Sequence, residues 1–161
     1  MVRKYILSIL ALFLIFHTSF AGLKAYNFEL ETLDGKKVKL SDFKGNVVVL
    51  IFWSTKCPVC KKEMPKLWKW YKEKYQNRPV KFLAIVINTK DKKKIKKAIQ
   101  EWGFGFTVLI PDNKTLSKYF VPGTPTFYIL RKDLTVGKIL FGEQKIKVFE
   151  KLINRFLKEN R

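Results

Sequence analysis

Histidine and cysteine are both scarce in this sequence. The chain of 161 residues contains one histidine, His17, and two cysteines, Cys57 and Cys60. A structural zinc site needs about four ligands, usually cysteine or histidine, so the sequence lacks the donors for one. No histidine follows residue 21, which also excludes a Cys–His nucleophile pair in the remainder of the chain. We therefore predict a protein without a bound metal or other cofactor.

Acidic side chains are also scarce. The sequence has 13 aspartates and glutamates against 33 lysines and arginines, a formal net charge of +20. Such an excess attracts acidic partners, an anionic membrane surface or nucleic acid. The lysines are spread along the chain and accompany no nucleic-acid motif, so we interpret most of them as solvated helix faces. We predict no nucleic-acid partner and keep an anionic membrane surface as an alternative.

No apolar run reaches the roughly 20 residues that span a bilayer as a helix. The run Tyr5 to Phe16 has 12 residues and follows two cations, Arg3 and Lys4. It is followed by Ser19-Phe20-Ala21, which places small residues at the −3 and −1 positions of a cleavage site after Ala21. This arrangement is typical of a secretory signal peptide at residues 1–21.

An uncleaved anchor is the alternative for this segment, because weakly polar residues extend the run to residues 5–20. Either interpretation predicts a periplasmic or other extracytoplasmic protein whose residues 22–161 form one domain. Removal of residues 1–21 lowers the count of basic side chains from 33 to 31 and leaves the 13 acidic ones unchanged. The strongly positive charge therefore belongs to the domain itself.

The hydrophobic pattern alternates between strands and helices. Asp34-Gly35 is a turn dipeptide between two short apolar stretches and predicts an N-terminal β-hairpin. The run from Val47 to Trp53 is almost continuously β-branched or aromatic, as in a strand buried on both faces. The predicted strands are 26–33, 37–40, 47–53, 80–87, 106–110, 126–130 and 135–141, and the predicted helices are 58–76, 92–102, 115–120 and 145–157. This order indicates an α/β layered fold.

The two cysteines lie at a predicted strand-to-helix junction, three residues apart. A disulfide that closes so short a loop restricts the unfolded chain little, so a purely structural role explains it poorly. Cys57 would sit at the helix N-terminus, where free N–H groups and the helix dipole stabilise a thiolate. Lys56, Lys61 and Lys62 add positive potential there. We predict Cys57 as the nucleophile and Cys60, deeper in the helix, as the resolving thiol.

Residues 47–65, VVVLIFWSTKCPVCKKEMP, resemble the active-site region of the TlpA/ResA/CcmG (DsbE) group of thioredoxin-like proteins. The similarity continues upstream at residues 33–45 and downstream at residues 121–129, and covers nearly all of 27–158. The resemblance implies a thioredoxin-like fold, in which a central mixed β-sheet is flanked by helices and preceded by a β-hairpin. It also implies a thiol–disulfide oxidoreductase.

The same resemblance implies roles for four further residues. Pro125 corresponds to a cis-proline beside the cysteines, and Thr124 offers backbone groups to an extended substrate; the alternative is an ordinary trans proline. Glu63 corresponds to an acid that assists proton transfer, the alternative being a solvated surface glutamate. Trp53 corresponds to a platform beside the site, the alternative being core packing. Ile51 occupies the place of the buried aspartate of ordinary thioredoxins. Glu63 is therefore the one acid to which the resemblance assigns proton transfer to and from the cysteines.

The function implied by the resemblance is reduction of disulfides in exported proteins such as apocytochrome c. The partners would be protein disulfide substrates and a membrane electron donor of the DsbD/CcdA type, and we expect a monomer. A peroxidase is an alternative, because residues 34–52 also resemble peroxiredoxins; those carry proline and threonine where this chain has Leu50 and Ser54. A second alternative is a non-catalytic binding module or holdase that uses the groove around Pro125.

Overall fold

The computed structural model describes residues 22–159, so the predicted signal or anchor lies outside the described residues. Within that range, no helix is long and apolar enough to span a membrane. The described strands are β1 (Glu29–Thr32), β2 (Lys37–Lys39), β3 (Val47–Trp53), β4 (Val80–Val86), β5 (Thr107–Ile110), β6 (Thr126–Leu130) and β7 (Val136–Phe141). The helices are a 3-10 turn (Leu40–Phe43), α1 (Pro58–Lys74), α2 (Lys92–Trp102), α3 (Asn113–Lys118) and α4 (Ile146–Lys158).

The strands form one mixed sheet in the order β2-β1-β5-β4-β3-β6-β7. β4 pairs in parallel with both β3 and β5, whereas the remaining pairs are antiparallel. The parallel pairs follow from the crossover helices α1 and α2, which connect β3 to β4 and β4 to β5. The predicted α/β architecture, a central mixed sheet flanked by helices, is confirmed.

β3 is the central element that the sequence predicted. All seven of its residues are buried, because β4 and β6 pair with its two edges and side chains cover both faces. Val49 and Ile51 belong to the hydrophobic cluster that includes α1, α2 and α4. Leu50 and Phe52 point to the opposite cluster, which includes Tyr119. A strand packed on both faces is a rigid base for whatever follows its end.

The N-terminal hairpin is confirmed but is shorter than predicted. β1 pairs antiparallel with β2 across Asp34-Gly35, and Gly35 has a φ of 86°, a value that favours glycine. The other edge of β1 pairs with β5, which joins the hairpin to the sheet. A 3-10 helix follows the hairpin, and Asp42 Oδ2 accepts a hydrogen bond from Lys39 N at 3.0 Å at its start.

The helix boundaries agree with the predicted ones to within two residues, and a local contact explains one of the differences. α3 begins two residues earlier than predicted, because the Asp112 carboxylate accepts a hydrogen bond from Thr115 N at 2.6 Å and caps the helix. The same bond to the Thr115 backbone lowers the pKa of Asp112. In α1, Trp70 is buried and Trp68 is half-buried.

Candidate active site

Cys57 caps the N-terminus of α1, directly after the loop that ends β3. Its Sγ accepts a hydrogen bond from Cys60 N at 3.0 Å, and Pro58 occupies the first helical position, where no N–H is required. The two sulfurs are joined in a disulfide. Cys57 keeps 7% of its surface exposed and Cys60 keeps 0%, so the predicted difference in burial is confirmed. Exchange chemistry can therefore reach Cys57 before Cys60.

The loop before β6 lies against the sulfur of Cys57. Cys57 Sγ is 3.3 Å from the carbonyl oxygen of Thr124, and the Thr124–Pro125 peptide bond is cis, as the resemblance implied. Two hydrogen bonds fix this loop: Thr126 Oγ1 donates to Gly123 O at 2.7 Å, and Gly142 N donates to Pro125 O at 2.8 Å. Pro125 is buried and Thr124 is half-buried. The backbone of Thr124 is thus held beside the disulfide.

Two phenylalanines beside this loop were missed by the sequence analysis. Phe120 and Phe141 are 69% and 47% exposed, unusually high values for large apolar side chains. Their rings meet edge to face with centroids 6.2 Å apart. Phe141 pairs with Thr126 across the sheet, and Phe120 precedes the 121–125 loop. The helix and strand patterns gave no sign of their exposure, because they place apolar residues at the same positions whether a neighbour covers them or not.

Trp53 lies in the core and not on a substrate surface. Its side chain is fully buried and packs edge-on against Trp102 and Phe104, with centroids 5.4 and 5.3 Å away. The prediction that Trp53 contacts substrate is therefore corrected to the alternative, core packing, because a substrate cannot touch a side chain without exposed surface. Trp53 belongs to the same cluster as both cysteines and supports them from behind.

Glu63 lies one turn beyond Cys60 on α1 and is largely shielded from solvent. Its side chain is 12% exposed, and its nearest ionic partner is Lys66, with Nζ and Oε1 3.7 Å apart. The low exposure contradicts the alternative of a solvated surface glutamate. A groove of about 590 Å³, lined by Glu63, Lys66 and residues 143–146, adjoins it. Glu63 is thus a largely buried acid on α1 beside a groove. Its proton-transfer role stays a prediction.

The lysines around the cysteines contribute less field than the sequence suggested. Lys62 Nζ is 2.7 Å from Glu143 Oε1, and this hydrogen bond raises the pKa of Lys62 and lowers that of Glu143. The pair is electrically neutral as a unit. Lys56 and Lys61 are exposed, where water and salt screen their charges. The cap position of Cys57, with the Cys60 N–H aimed at its sulfur, is therefore the main local source of anion stabilisation.

Asn88 is a second feature that the sequence analysis missed. It follows β4, and its side chain bonds twice to the loop that carries Cys57: Thr55 N donates to Asn88 Oδ1 at 3.0 Å, and Asn88 Nδ2 donates to Thr55 Oγ1 at 2.9 Å. Ile87 N also donates to Trp53 O at 2.9 Å. The loops after β3 and β4 are thus tied together.

Among residues 22–159, no group of three or more His, Cys, Asp or Glu side chains is arranged to hold a metal.

Comparison with known proteins agrees with this site. A model of the AhpC/TSA family matches residues 21–139. The chain is 36% identical over 124 residues to the thiol-disulfide oxidoreductase ResA of Bacillus thuringiensis (strain Al Hakam), an alignment that covers 76% of this chain and 70% of the relative. A solved structure from Chlorobium tepidum, assigned as a thiol:disulfide interchange protein DsbE, has a TM-score of 0.71 at 29% identity and covers 84% of this chain and 96% of that one.

The fold itself is shown by a further structure. A thiol:disulfide interchange protein of the thioredoxin family from Chlorobium tepidum TLS has a TM-score of 0.77 at 20% identity, and the match covers 87% of this chain and 99% of that chain. Identity this low carries information on fold alone. The predicted thioredoxin-like fold is confirmed.

Proposed function

Because the chain belongs to the AhpC/TSA family and, within it, to the thiol-disulfide oxidoreductases of ResA type, we propose that it reduces disulfide bonds of exported proteins. The protein is a protein-disulfide oxidoreductase with a Cys57–Cys60 pair. The direction of electron flow, the substrate and the compartment are the parts that we propose. The observation that carries the exchange chemistry is the cap position of Cys57 beside the Thr124 carbonyl. The reducing direction is supported by the resemblance to the ResA-type oxidoreductases.

The reaction begins with the pair in its dithiol form. The Cys57 thiolate attacks one sulfur of the substrate disulfide, a mixed disulfide forms, and the second substrate sulfur leaves as a thiolate that takes up a proton. The Cys60 thiolate then attacks Cys57 Sγ and releases the first substrate sulfur, which is also protonated. Two electrons pass to the substrate, and the Cys57–Cys60 pair ends as the disulfide. A membrane electron donor of the DsbD/CcdA type then restores the dithiol.

Burial supports the assignment of the two sulfurs. Cys57 has exposed surface and lies where the helix N-terminus favours a thiolate, whereas Cys60 has none. Cys60 therefore meets a substrate only after Cys57 has bound it. We propose that Glu63, one turn further along α1, accepts the Cys60 proton before the second attack and exchanges it with solvent through the adjoining groove.

The substrate surface that we propose consists of the loop beside Cys57 and the aromatic pair next to it. An extended substrate segment would pair with the backbone of Thr124, and Pro125 shapes that loop. Phe120 and Phe141 present apolar surface at its edge and would cover an apolar side chain of the substrate. Apocytochrome c is the substrate that the resemblance to the TlpA/ResA/CcmG group favours, and an extracytoplasmic site is the compartment.

The test uses two variants that separate the two steps. Cys57→Ser should abolish reduction of both insulin and an apocytochrome c disulfide, and Cys60→Ser should accumulate a mixed disulfide through Cys57 that mass spectrometry identifies. Turnover by Cys57→Ser would overturn the proposed mechanism. A Cys57–Cys60 reduction potential near or below about −270 mV supports a reductant, whereas one near about −120 mV would make the protein an oxidant.

A peroxidase remains the second candidate, on the resemblance of residues 34–52 to peroxiredoxins. Thiol-dependent consumption of hydrogen peroxide by the wild-type protein, lost in Cys57→Ser, would favour it over the reductase. A holdase is the third candidate. It would be supported if the double variant Cys57→Ser/Cys60→Ser still suppressed aggregation of an unfolded acidic protein as well as the wild type does.

A further inference from the structure

A basic groove lies between β7 and α4, and at Lys145 it adjoins the groove beside Glu63. It has a volume of about 550 Å³. Its floor is apolar and its rim is cationic, and no acidic side chain lines it. The groove residues are Gly137, Lys138, Lys145, Lys147, Val148, Lys151, Leu152, Arg155 and Phe156. We call this set the basic groove.

The rim charges are largely unneutralised. Lys147, Lys151 and Arg155 are spaced four residues apart and form one stripe along α4. Among the ion pairs of residues 22–159, none involves Lys147 or Lys151, and Arg155 meets only Glu159, at 3.6 Å. The lysines of α2 differ, because three of the five pair with acids, whereas one of the five cations of the basic groove does. The positive potential of the domain is therefore concentrated on the α4 flank more than on the α2 flank.

Close packing of α4 on β7 creates the apolar floor. Gly137 permits it, since a Cβ at that position would lie 2.4 Å from the ring of Phe156. The ring therefore lies close to the β7 backbone, and it lines the groove together with Val148 and Leu152. The result is an apolar surface bordered by cations, a combination that suits an amphiphilic anion.

The described chain begins beside this groove. Leu23 O accepts a hydrogen bond from Val136 N at 2.7 Å, and Ala25 N donates to Leu134 O at 3.0 Å. Gly22, the first described residue, lies beside Thr135 and Arg131, and the apolar run 5–16 precedes it in the sequence. Leu23 is 77% exposed, the highest value among the exposed large apolar side chains of residues 22–159.

Strand register places this point at the far end of the sheet from the cysteines. Val136 aligns with Leu130, and Leu130 aligns with Val48 near the start of β3. Cys57 follows the opposite end of β3. A surface that contacts Leu23 and the Arg155 end of the basic groove would therefore leave the cysteine end free for substrates.

We propose that Leu23 and the basic groove form a docking face for an anionic phospholipid surface. The lysine and arginine side chains of the rim donate hydrogen bonds to lipid phosphates, and Leu23 enters the interface between headgroups and acyl chains. The apolar run at residues 5–16 favours this occupant over an acidic peptide, because it is suited to a membrane and precedes Leu23 by only a few residues in the sequence. This inference is independent of the redox function.

The test compares two triple charge reversals in the full chain. Lys147→Glu/Lys151→Glu/Arg155→Glu alters the groove, and Lys93→Glu/Lys96→Glu/Lys97→Glu makes the same charge change on α2. The control is matched, since Lys97 meets Glu101 at 3.7 Å much as Arg155 meets Glu159 at 3.6 Å. The readout is co-sedimentation with phosphatidylcholine vesicles with and without phosphatidylglycerol. For each variant we take the ratio of its affinity for vesicles with phosphatidylglycerol to its affinity for vesicles without it. The contribution of residues 1–21 is common to all variants and therefore cancels when these ratios are compared.

We expect this ratio to fall about 100-fold in the groove variant and less than about threefold in the α2 variant. Equal losses would show that net charge alone is responsible and would overturn the proposal, as would no loss in either variant. Polyglutamate bound by the wild type as tightly as anionic vesicles, and lost in the groove variant, would assign the face to acidic peptides instead. Insulin reduction should be unchanged in both variants. This result would verify that they fold and would separate the membrane proposal from the redox one. If the triple groove variant does not fold, Lys147→Gln/Lys151→Gln replaces it.

Discussion

Two neighbouring junctions of this fold have the same design and different chemistry. β3 and β4 are parallel, and each is followed by a short loop and then a helix, α1 or α2, packed in the same hydrophobic cluster. At the first junction the N-cap is Cys57, whose sulfur accepts a hydrogen bond from Cys60 N at 3.0 Å. At the second the N-cap is Asp91, whose Oδ1 accepts from Lys94 N at 3.2 Å. In both, the bond comes from the residue three positions after the cap.

The comparison shows what a helix N-terminus provides without any specialised residue. Asp91 places a carboxylate at a position that favours anions, and it thereby stabilises α2. A cysteine in the same position gains a thiolate that is nucleophilic as well as stabilised. The surroundings complete the difference: Thr124 O lies 3.3 Å from the Cys57 sulfur, and the acid Glu63 stands six residues beyond the cap. The corresponding residue of α2 is Lys97, whose side chain is 76% exposed.

The largest effect comes from removing the sulfur and keeping the cap. Cys57→Ser and Cys57→Ala should both lose at least about 1000-fold of reductase activity, because neither provides a thiolate. They should differ in stability, with Cys57→Ser more stable by about 1 kcal/mol, since a serine hydroxyl still caps α1. Insulin reduction and urea unfolding measure the two properties. Equal stability of the two variants, neither of which has the disulfide, would show that the cap at the first junction is unimportant.

Substitution of Glu63 should have the next largest effect. Glu63→Gln removes the proton acceptor one turn beyond Cys60 and should slow release of product from the mixed disulfide by about 100-fold near neutral pH. The loss should shrink as pH rises and solvent hydroxide deprotonates Cys60 directly. Single-turnover kinetics across pH measure this step. Glu73→Gln, on an exposed face of the same helix, is the control; a Glu63→Gln profile parallel to it would contradict the proton-transfer role.

The sequence predicted the first junction in detail and the second only in outline. Cys57 and Cys60 were recognisable because their spacing, the buried run before them and the absence of other cysteines leave few alternatives. Exposure was not predictable: Trp53 and Phe120 are both aromatic residues in apolar stretches, yet one is fully buried and the other is 69% exposed. That difference depends on which element covers each residue. Asn88 was equally hidden, since its two bonds to Thr55 join loops 33 residues apart.

Removing the N-cap of the second junction should lower stability without lowering activity. Asp91→Ala removes the hydrogen bonds from Lys93 N and Lys94 N and should lower the free energy of unfolding by about 1 kcal/mol. Reductase activity should stay unchanged, because Asp91 has no part in the exchange. Urea unfolding and insulin reduction on the same sample check both statements. Asp91→Asn, which keeps an acceptor, should recover most of the stability; no recovery would show that the loss has another source.

The smallest effect should come from cutting the link between the two junctions. Asn88→Ala removes both hydrogen bonds to Thr55, and each is worth little because the pair is exposed to water that can replace it. We expect a loss of less than about 1 kcal/mol in stability and a two- to threefold change, by rough estimate, in the rate at which Cys57 reacts with iodoacetamide. Asn77→Ala, in the exposed turn after α1, is the control. If Asn88→Ala changes the thiol rate no more than Asn77→Ala does, each junction is set by its own strand and helix; a larger change would mean that the second junction helps to hold the first in its reactive geometry.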